Sequence, residues 1–453
     1  MSRRYFGTDG IRGRTGTEPM TTGFAKRLGA AAARVLAAGP GRPIVAIGRD
    51  TRGSGPGLEA ALAEGLTAAG ADVVLLGVLP TPGVAARVVS EGWAAGVVIS
   101  ASHNPAHDNG IKFFSGDGDK LPDATEARIE AALDTPIPRG PCGSVTSVDD
   151  GVTRYVEHAL ASLPSGFSLA GLTIALDCAQ GAAVQTSPAV LRALGADLHV
   201  FHATPDGENI NRDCGSTHPE ELSRLVRQTG AHVGLAHDGD ADRVLLCDGA
   251  GTPLDGDELL AIAGLDLLGR DELPGRTVVA TVMSNLGLDE ALENAGGRVI
   301  RTAVGDRYVL EAMRAGGFIL GGEQSGHLIF LRHGTTGDGL VAGLQILRLM
   351  VESGRPLSEL RRVMPRYPQA QRAVAVDSKP PWESLPPVQA AVTAAEQALA
   401  PRGRVLLRYS GTEPKLRILL EGRDAAVLED HADRIAEAVG QAFSARTAVA
   451  AGA

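Results

Sequence analysis

The stretch 97–114, VVISASHNPAHDNGIKFF, decides how the rest of the chain is read. An apolar β-run at 97–99 gives way to Ser100, Ala101, Ser102, His103 and Asn104, and Pro105 then ends regular structure. Ser102 therefore sits where a strand stops. The space outside the carboxyl end of a strand is where α/β domains place ligands, because the connecting loops are free to vary there. A lone serine in such a loop is ordinarily a turn residue, so its standing as a candidate nucleophile depends on the rest of the chain.

Strand and helix alternate outward from this stretch. IVAIGRD (44–50), a helix at 57–69, DVVLLG (72–77) and a helix at 82–90 precede it. FGTDGIRG (6–13), dense in glycine and polar groups, reads as a site loop ahead of a helix at 21–38. A second run starts near Asp149 with a helix at 151–162, TIALDCAQG, a helix at 187–194, DLHVFH and a helix at 219–228, and finishes in HVGLAHDGDADRVLLCDG. The third has a helix at 258–268, TVVATVM, a helix at 288–295, VIRTAVGD, a helix at 308–315, FILGGEQSG and a helix at 339–351. Such alternation implies parallel sheet. The three segments share one pattern without a visible residue-level repeat. MPRYPQAQ (364–371) reads as a linker. Beyond it come a strand at 373–376, a helix at 388–399, VLLRYSG and LRILLEG joined by a short turn, and a helix at 426–443, which is an α+β pattern with an antiparallel pair. The expected fold is α/β: three consecutive similar domains with mixed, mainly parallel sheets (1–148, 149–252, 253–365), then a C-terminal α+β domain (371–446). The small apolar tail 447–453 is expected to be disordered.

Composition narrows the function. A chain of 453 residues exceeds one hydrophobic core, and 44% hydrophobic residues supply several. A net charge of −10 with 4% aromatics argues against a nucleic-acid surface. Cys142, Cys178, Cys214 and Cys247 form no CxxC pair, so neither a zinc site nor a disulfide framework is expected and the thiols are read as reduced. MSRRYFGTDG carries no apolar leader and no run approaches the roughly 18 apolar residues of a membrane span, so a cytoplasmic protein with no membrane partner is expected.

Three further stretches carry chemistry. Asp238, Asp240 and Asp242 alternate in HDGDADR, where Gly239 and Ala241 let the backbone aim three carboxylates at one point. Crowded carboxylates call for a cation, and hard oxygen ligands select Mg²⁺ or a similar ion over zinc. A calcium EF-hand is ruled out, because loop position six is Arg243 and position twelve is Gly249. In LLRYSGTEPKLRI a turn glycine, Gly411, frees backbone N–H groups, Ser410 and Thr412 add hydroxyls, and Arg408, Lys415 and Arg417 add charge, as a phosphate monoester requires. In GGEQSGH, Glu323 and Ser325 are spaced to face one ligand and bond vicinal sugar hydroxyls, with His327 beside them as a proton carrier or a loop histidine. Thr8, Arg12, Arg49, Asp306 and Arg307 are further polar groups at strand ends. Lys112 would act as general acid or base if burial beside Phe113 and Phe114 lowered its pKa.

The ordered set SASHNP, DGDADR, GEQSGH and RYSGTEP resembles the α-D-phosphohexomutase superfamily over nearly the whole chain. FGTDGIRG, VGDR and Gln324 resemble the bacterial phosphoglucosamine mutase branch, whereas His237 and Tyr409 stand where Phe and Pro are common in the superfamily. The resemblance implies four domains in a heart shape around one central cleft, each giving one loop. Ser102 would be a phosphoserine, and Asp238, Asp240 and Asp242 would bind one Mg²⁺ with an oxygen of that group. Glu323 and Ser325 would grip the sugar, and His327, Thr8, Arg12, Arg49, Asp306 and Arg307 are the further substrate-binding candidates. Arg408, Ser410, Gly411, Thr412 and Arg417 would hold the non-reacting phosphate. Lys112, His103 and Arg243 would flank the transferred group, their acid and base duties left open. The implied activity is interconversion of glucosamine 6-phosphate and glucosamine 1-phosphate, with a sugar 1,6-bisphosphate as primer and intermediate, by a monomer or homodimer. A clamp that accepts either end of the sugar favours a fourth domain hinged near Pro365 to Pro368. The alternatives are phosphomannomutase/phosphoglucomutase activity, a phosphosugar phosphatase, and a non-catalytic phosphosugar-binding regulator.

Overall fold

Buried strands such as Ala95–Ile99 (AGVVI) are apolar without alternation, the signature of a sheet covered on both faces. The computed structural model describes residues 4–7, 9–37, 41–136, 143–410 and 413–451, with side chains to residue 444. The chain divides into two units, Met1–Ser284 with Leu292–Val363, and Asn285–Ala291 with Met364–Ala453.

The first unit holds three sheets. In the first, β1 (Ile11–Arg14), β2 (Ile44–Arg49), β3 (Asp72–Val78), β4 (Ala95–Ile99), β5 (Asp108–Ser115) and β6 (Val145–Ser147) lie in the order β1-β5-β4-β2-β3-β6. The second contains β7 (Thr173–Asp177), β8 (Asp197–Phe201), β9 (Val233–His237), β10 (Val244–Asp248) and β11 (Pro253–Leu254), in the order β11-β10-β9-β7-β8. The third contains β12 (Thr277–Thr281), β13 (Arg298–Thr302), β14 (Leu320–Gly322) and β15 (Leu328–Phe330), in the order β13-β12-β14-β15. Each has a parallel centre that turns antiparallel at one edge: β4 returns as β5, β9 as β10 and β14 as β15. The sheets are thus mixed. The second has as many antiparallel pairings as parallel ones, because β11 extends the hairpin.

Helices cover the sheets. Thr22–Leu36 is capped by Thr21, whose side chain accepts from the Phe24 N–H. It lies so close to the helix Gly55–Ala68 that a Cβ on Gly65 would stand 1.9 Å from the Lys26 carbonyl oxygen, so only glycine fits. Phe24, Leu28, Leu62, Leu66, Ile47 and Val97 fill the core between helices and sheet, each burial contributing about 1.5–3 kcal/mol.

The second unit contains β16 (Gln369–Ala375), β17 (Arg404–Tyr409) and β18 (Lys415–Glu421), all antiparallel with β18 central, and the helices Pro386–Leu399 and Ala425–Ala451. This is the expected α+β layout, with Val388, Val392, Leu416, Ile418, Ile435 and Val439 in its core.

Three expectations change. FGTDGIRG is not wholly loop: its second half is β1, paired with β5, with Ile11 fully buried. The backbone can enter there because Gly10 has φ +74° and a Cβ on it would meet the Ile111 carbonyl oxygen at 2.5 Å. The segment 364–371 is not a bare linker, since β16 starts at Gln369 and the Asn285 side chain bonds both the N–H and C=O of Tyr367. The last helix continues to Ala451 where a disordered tail was expected, alanine-rich sequence being a good helix former. Residues 452 and 453 lie outside the described residues, as do Thr8, Cys142, Gly411 and Thr412. No helix among the described residues is long and apolar enough to cross a membrane.

Candidate active site

Four of the motifs connect consecutive antiparallel strands. SASHNP joins β4 to β5, DGDADR joins β9 to β10, EQSGH joins β14 to β15, and SGTEP joins β17 to β18. In the first unit the switch from parallel to antiparallel pairing therefore delivers each loop from the carboxyl end of the last parallel strand.

Ser102 is buried and holds a left-handed backbone, φ +52°, a conformation that the surroundings must impose on a non-glycine residue. They do so through bonds to its backbone. Ser100 Oγ accepts from the Ser102 N–H at 2.9 Å, while Arg52 Nη2 and Asn211 Nδ2 donate to its carbonyl at 3.0 and 2.8 Å. Its hydroxyl is thereby presented to Asp238 Oδ2, 2.5 Å away, with His103 Nδ1 at 3.3 Å.

The three aspartates converge as expected, each offering an oxygen within 4.8 Å of the others, and all three are buried. Asp240 Oδ1 and Asp242 Oδ1 have no hydrogen-bond partner. Burial, then repulsion from Asp242 and Asp240, pushes the Asp238 carboxyl well above the ordinary range. Unpartnered hard oxygens under mutual repulsion are what a divalent cation relieves, so the residues fit Mg²⁺.

Four cations surround the cluster. Lys112, on β5, lies 2.9 Å from Asp240 Oδ2, 3.2 Å from Asp9 Oδ2 and 3.5 Å from Asp242 Oδ2. Burial opposes its charge, but Asp240, Asp9 and Asp242 outweigh burial and raise its pKa. The condition set for an acid or base role, a lowered pKa, is not met, because three carboxylates face the ammonium. Arg243 Nη1 lies 3.3 Å from His103 Nδ1, and Arg12 pairs with Asp9. The Nε atoms of both arginines make no hydrogen bond, Arg243 Nε lying 3.8 Å from Asp242 Oδ1. His103 is pulled down to about 4 by burial, then by Arg243 and Arg12, so its ring is neutral at pH 7. Lys120 bonds Asp306 Oδ2 at 2.6 Å and also pairs with Asp9.

In the third loop, Glu323 Oε1 accepts from the Gly305 N–H at 3.0 Å and Ser325 is exposed. His327 is buried, with Nδ1 3.6 Å from Asp242 and Nε2 3.4 Å from Asp306. Gln324 turns to Asp255, the cap of the helix Gly256–Gly269. The substitution His237 is accommodated in the core by Ser187 Oγ at 3.0 Å and the Arg243 carbonyl at 3.1 Å.

Two candidates are engaged elsewhere. Arg49 faces Glu59, and Arg307 is bound by Asp123 and by Glu126 Oε1 at 2.8 Å. Arg52, not Arg49, holds the serine loop. It went unread because nothing local distinguishes the two arginines of GRDTRG. Lys120 and Asp9 were missed for the same reason: Lys120 lies more than a hundred residues from each of its partners, Asp9 and Asp306.

In the second unit, Arg408 and Arg417 are direct cross-strand partners, an arrangement of like charges that costs stability without an anion. The Ser410 hydroxyl accepts from the Glu413 N–H at 3.2 Å, Glu413 bonds Lys415 and Arg417 at 2.7 Å each, and Lys379 reaches the Ser410 carbonyl at 2.6 Å.

Residues 3–138, 153–251, 255–367 and 372–438 match, in that order, the phosphoglucomutase/phosphomannomutase alpha/beta/alpha domains I, II and III and the C-terminal domain. The chain is 51% identical over 459 residues to phosphoglucosamine mutase of Anaeromyxobacter dehalogenans (strain 2CP-C), covering 98% of this chain and 100% of that one. It is 50% identical over 450 residues to phosphoglucosamine mutase of Paramagnetospirillum magneticum (strain ATCC 700264 / AMB-1), with the same coverage of 98% and 100%. Among solved structures, a phosphoglucomutase/phosphomannomutase family protein from Burkholderia thailandensis superposes with a TM-score of 0.80 at 26% identity, covering 97% of each chain. Aspergillus fumigatus N-acetylphosphoglucosamine mutase in complex with GlcNAc-6P and magnesium shares the fold, with a TM-score of 0.68 at 18% identity over 98% of this chain and 96% of that one.

Proposed function

The chain belongs to the phosphoglucomutase/phosphomannomutase family, and from that premise we propose that it interconverts glucosamine 6-phosphate and glucosamine 1-phosphate through phosphorylated Ser102. It is an enzyme, a phosphohexomutase of the isomerase class. The observation that carries the reading is the 2.5 Å separation of Ser102 Oγ from Asp238 Oδ2, which sets a hydroxyl at the edge of three carboxylates ringed by cations.

Asp238, Asp240 and Asp242 would hold Mg²⁺, with an oxygen of phosphorylated Ser102 beside them. When bound, the ion neutralises charge on the phosphoryl oxygens. The chain's own residues do the rest. Phosphoserine 102 gives its phosphoryl to the free sugar hydroxyl: the Ser102 Oγ–P bond breaks, a P–O bond to the sugar forms, and the hydroxyl proton leaves to a base. Arg12 and Arg243, with open Nε groups, would receive the equatorial oxygens. Lys112, held protonated, stands as a cation beside the phosphoryl oxygens, and His103 Nδ1 flanks Ser102 Oγ, the leaving oxygen, where the proton lost by the sugar hydroxyl is made good over the step. The 1,6-bisphosphate turns end over end, and Ser102 takes back the other phosphate. Glu323, Ser325 and Asp306 would orient the sugar, with His327 held behind them. Arg408, Ser410, Gly411, Thr412 and Arg417 would clamp the idle phosphate.

Intact-mass measurement before and after phosphatase treatment, with assay of Ser102→Ala, tests the proposal. One phosphate-sized increment absent from the variant is expected, with turnover below about a thousandth of wild type. Undiminished mutase activity in Ser102→Ala would refute it. Comparison of kcat/KM for glucosamine, glucose and mannose phosphates decides the substrate, glucosamine being expected to lead. Release of free phosphate faster than isomerised sugar would favour a phosphatase.

A further inference from the structure

A second convergence of ligand-type side chains lies in the second sheet. Asp177 ends β7, and its neighbour in the parallel register, Phe201, ends β8. His202 follows at once with a left-handed backbone, φ +48°, that turns the chain back towards Asp177. Cys214 arrives from the loop ahead of the helix Pro219–Thr229. One ligand atom of each residue lies within 4.8 Å of the others, and Asp177 and Cys214 are fully buried.

We propose that Asp177, His202 and Cys214 bind a zinc ion, an assignment distinct from the phosphoryl-transfer site. A carboxylate oxygen, an imidazole nitrogen and a thiolate form a mixed, borderline-soft set that favours zinc over magnesium, unlike the all-oxygen set of Asp238, Asp240 and Asp242. The surrounding bonds are those such a site needs. His202 Nδ1 faces Asp177 Oδ1 at 3.1 Å, while Nε2 lies 3.5 Å from Glu221 Oε1, so the ring's second nitrogen has a carboxylate to orient it. Asp177 Oδ1 and Oδ2 each accept one backbone N–H, from Ala179 and Gly215, both at 2.8 Å, which fixes the carboxylate and leaves lone pairs over. His202 is a quarter exposed, so solvent reaches this side of the cluster and water would serve as the fourth ligand. Coordination replaces the S–H bond of Cys214 with an S–Zn bond and releases the proton to solvent. No electrons are transferred.

Zinc here fastens the loop that supports the serine. Three residues before Cys214, Asn211 Nδ2 donates to the carbonyls of Ser102 and Asn104 at 2.8 and 3.1 Å. Two residues after it, the Ser216 N–H donates to the carbonyl of His237 at 2.8 Å, directly ahead of Asp238. The absence of a CxxC pair hid the site, because its ligands come from two strand ends and a loop.

The test is titration of the metal-stripped full chain with Co²⁺ in excess Mg²⁺. One equivalent per chain is expected, with tetrahedral visible absorption and a near-ultraviolet thiolate-to-cobalt band, all displaced by Zn²⁺. Cys214→Ser should lose the thiolate band and Cys247→Ser keep it, and His202→Asn should weaken binding at least about 100-fold. Zn²⁺ should raise the melting temperature of the wild type but not of Cys214→Ser. Far-UV circular dichroism checks that Cys214→Ser folds; if it does not, His202→Asn, at a partly exposed position, carries the comparison. The absence of a thiolate band in the wild type, its persistence in Cys214→Ser, or cobalt absorbing only as an octahedral oxygen complex would each overturn the assignment. The last would leave the Asp238 cluster, and the proposed mutase, untouched.

Discussion

Arg52 Nη2 donates to the carbonyl of Ser102 across 3.0 Å, although fifty residues of sequence separate them. The guanidinium is fully buried and also bonds Asp50 Oδ2 and the carbonyls of Asn104, Pro105 and Asp108. One planar fork thus sets the whole turn that presents the serine hydroxyl.

Replacing Arg52 tests that role. Arg52→Ala leaves Asp50 buried without its partner and should cost about 3–5 kcal/mol of stability. Arg52→Lys keeps the charge but not the fork, and should recover only part of the stability and of the phosphoserine occupancy. Urea denaturation and intact mass report both. Wild-type values in Arg52→Lys would show that charge alone suffices.

Arg408 and Arg417 stand opposite each other on β17 and β18, and the Arg408 pKa is lowered, first by burial and then by Arg417. An anion held between them would repay the repulsion. Arg408→Gln should therefore raise KM for the sugar phosphate about 10- to 100-fold, the worth of one charge-assisted contact, without lowering the melting temperature. An unchanged KM with a lower melting temperature would assign the pair to stability instead.

Arg307, expected to bind substrate, is committed to Asp123 and Glu126 and so ties the helix Asp306–Gly316 to the helix Asp123–Ala132. Glu126 is buried, and removing its guanidinium partner should cost about 3 kcal/mol in Arg307→Gln. The dissociation constant for sugar phosphate, from calorimetry, should stay within about threefold. A large loss of affinity at unchanged stability would restore the substrate role.

His333 has its pKa lowered by burial, and then by Arg348, His158 and Arg332. Below the ordinary histidine range the unfolded chain takes up a proton that the folded chain resists, so stability present at neutral pH is lost on acidification. Melting temperatures measured from about pH 7 to about pH 5 should fall less steeply in His333→Gln than in the wild type. Parallel curves would remove His333 from the acid response.

The four loops were legible because each pairs a strand end with residue types seldom grouped by chance, and the local pattern of HDGDADR needs no distant partner to bring its carboxylates together. Arg52, Lys120 and Asp9 were not, since a buried arginine and a surface one look alike until the partners are known. Lys112 was legible as a candidate, but whether its pKa falls or rises was not. Phe113 and Phe114 are its neighbours in sequence, but Asp9, Asp240 and Asp242 are its neighbours in space.

By itself the sequence determined the alternation of strand and helix, the change to α+β after residue 370, and which short stretches carry chemistry, because periodicity and turn residues act over a few positions. Tertiary structure alone decided that four of the motifs connect antiparallel strands, that FGTDGIRG ends as a paired strand, and which charges meet. Charge pairing in a buried site depends on distances between segments a hundred or more residues apart, and only the folded chain sets those.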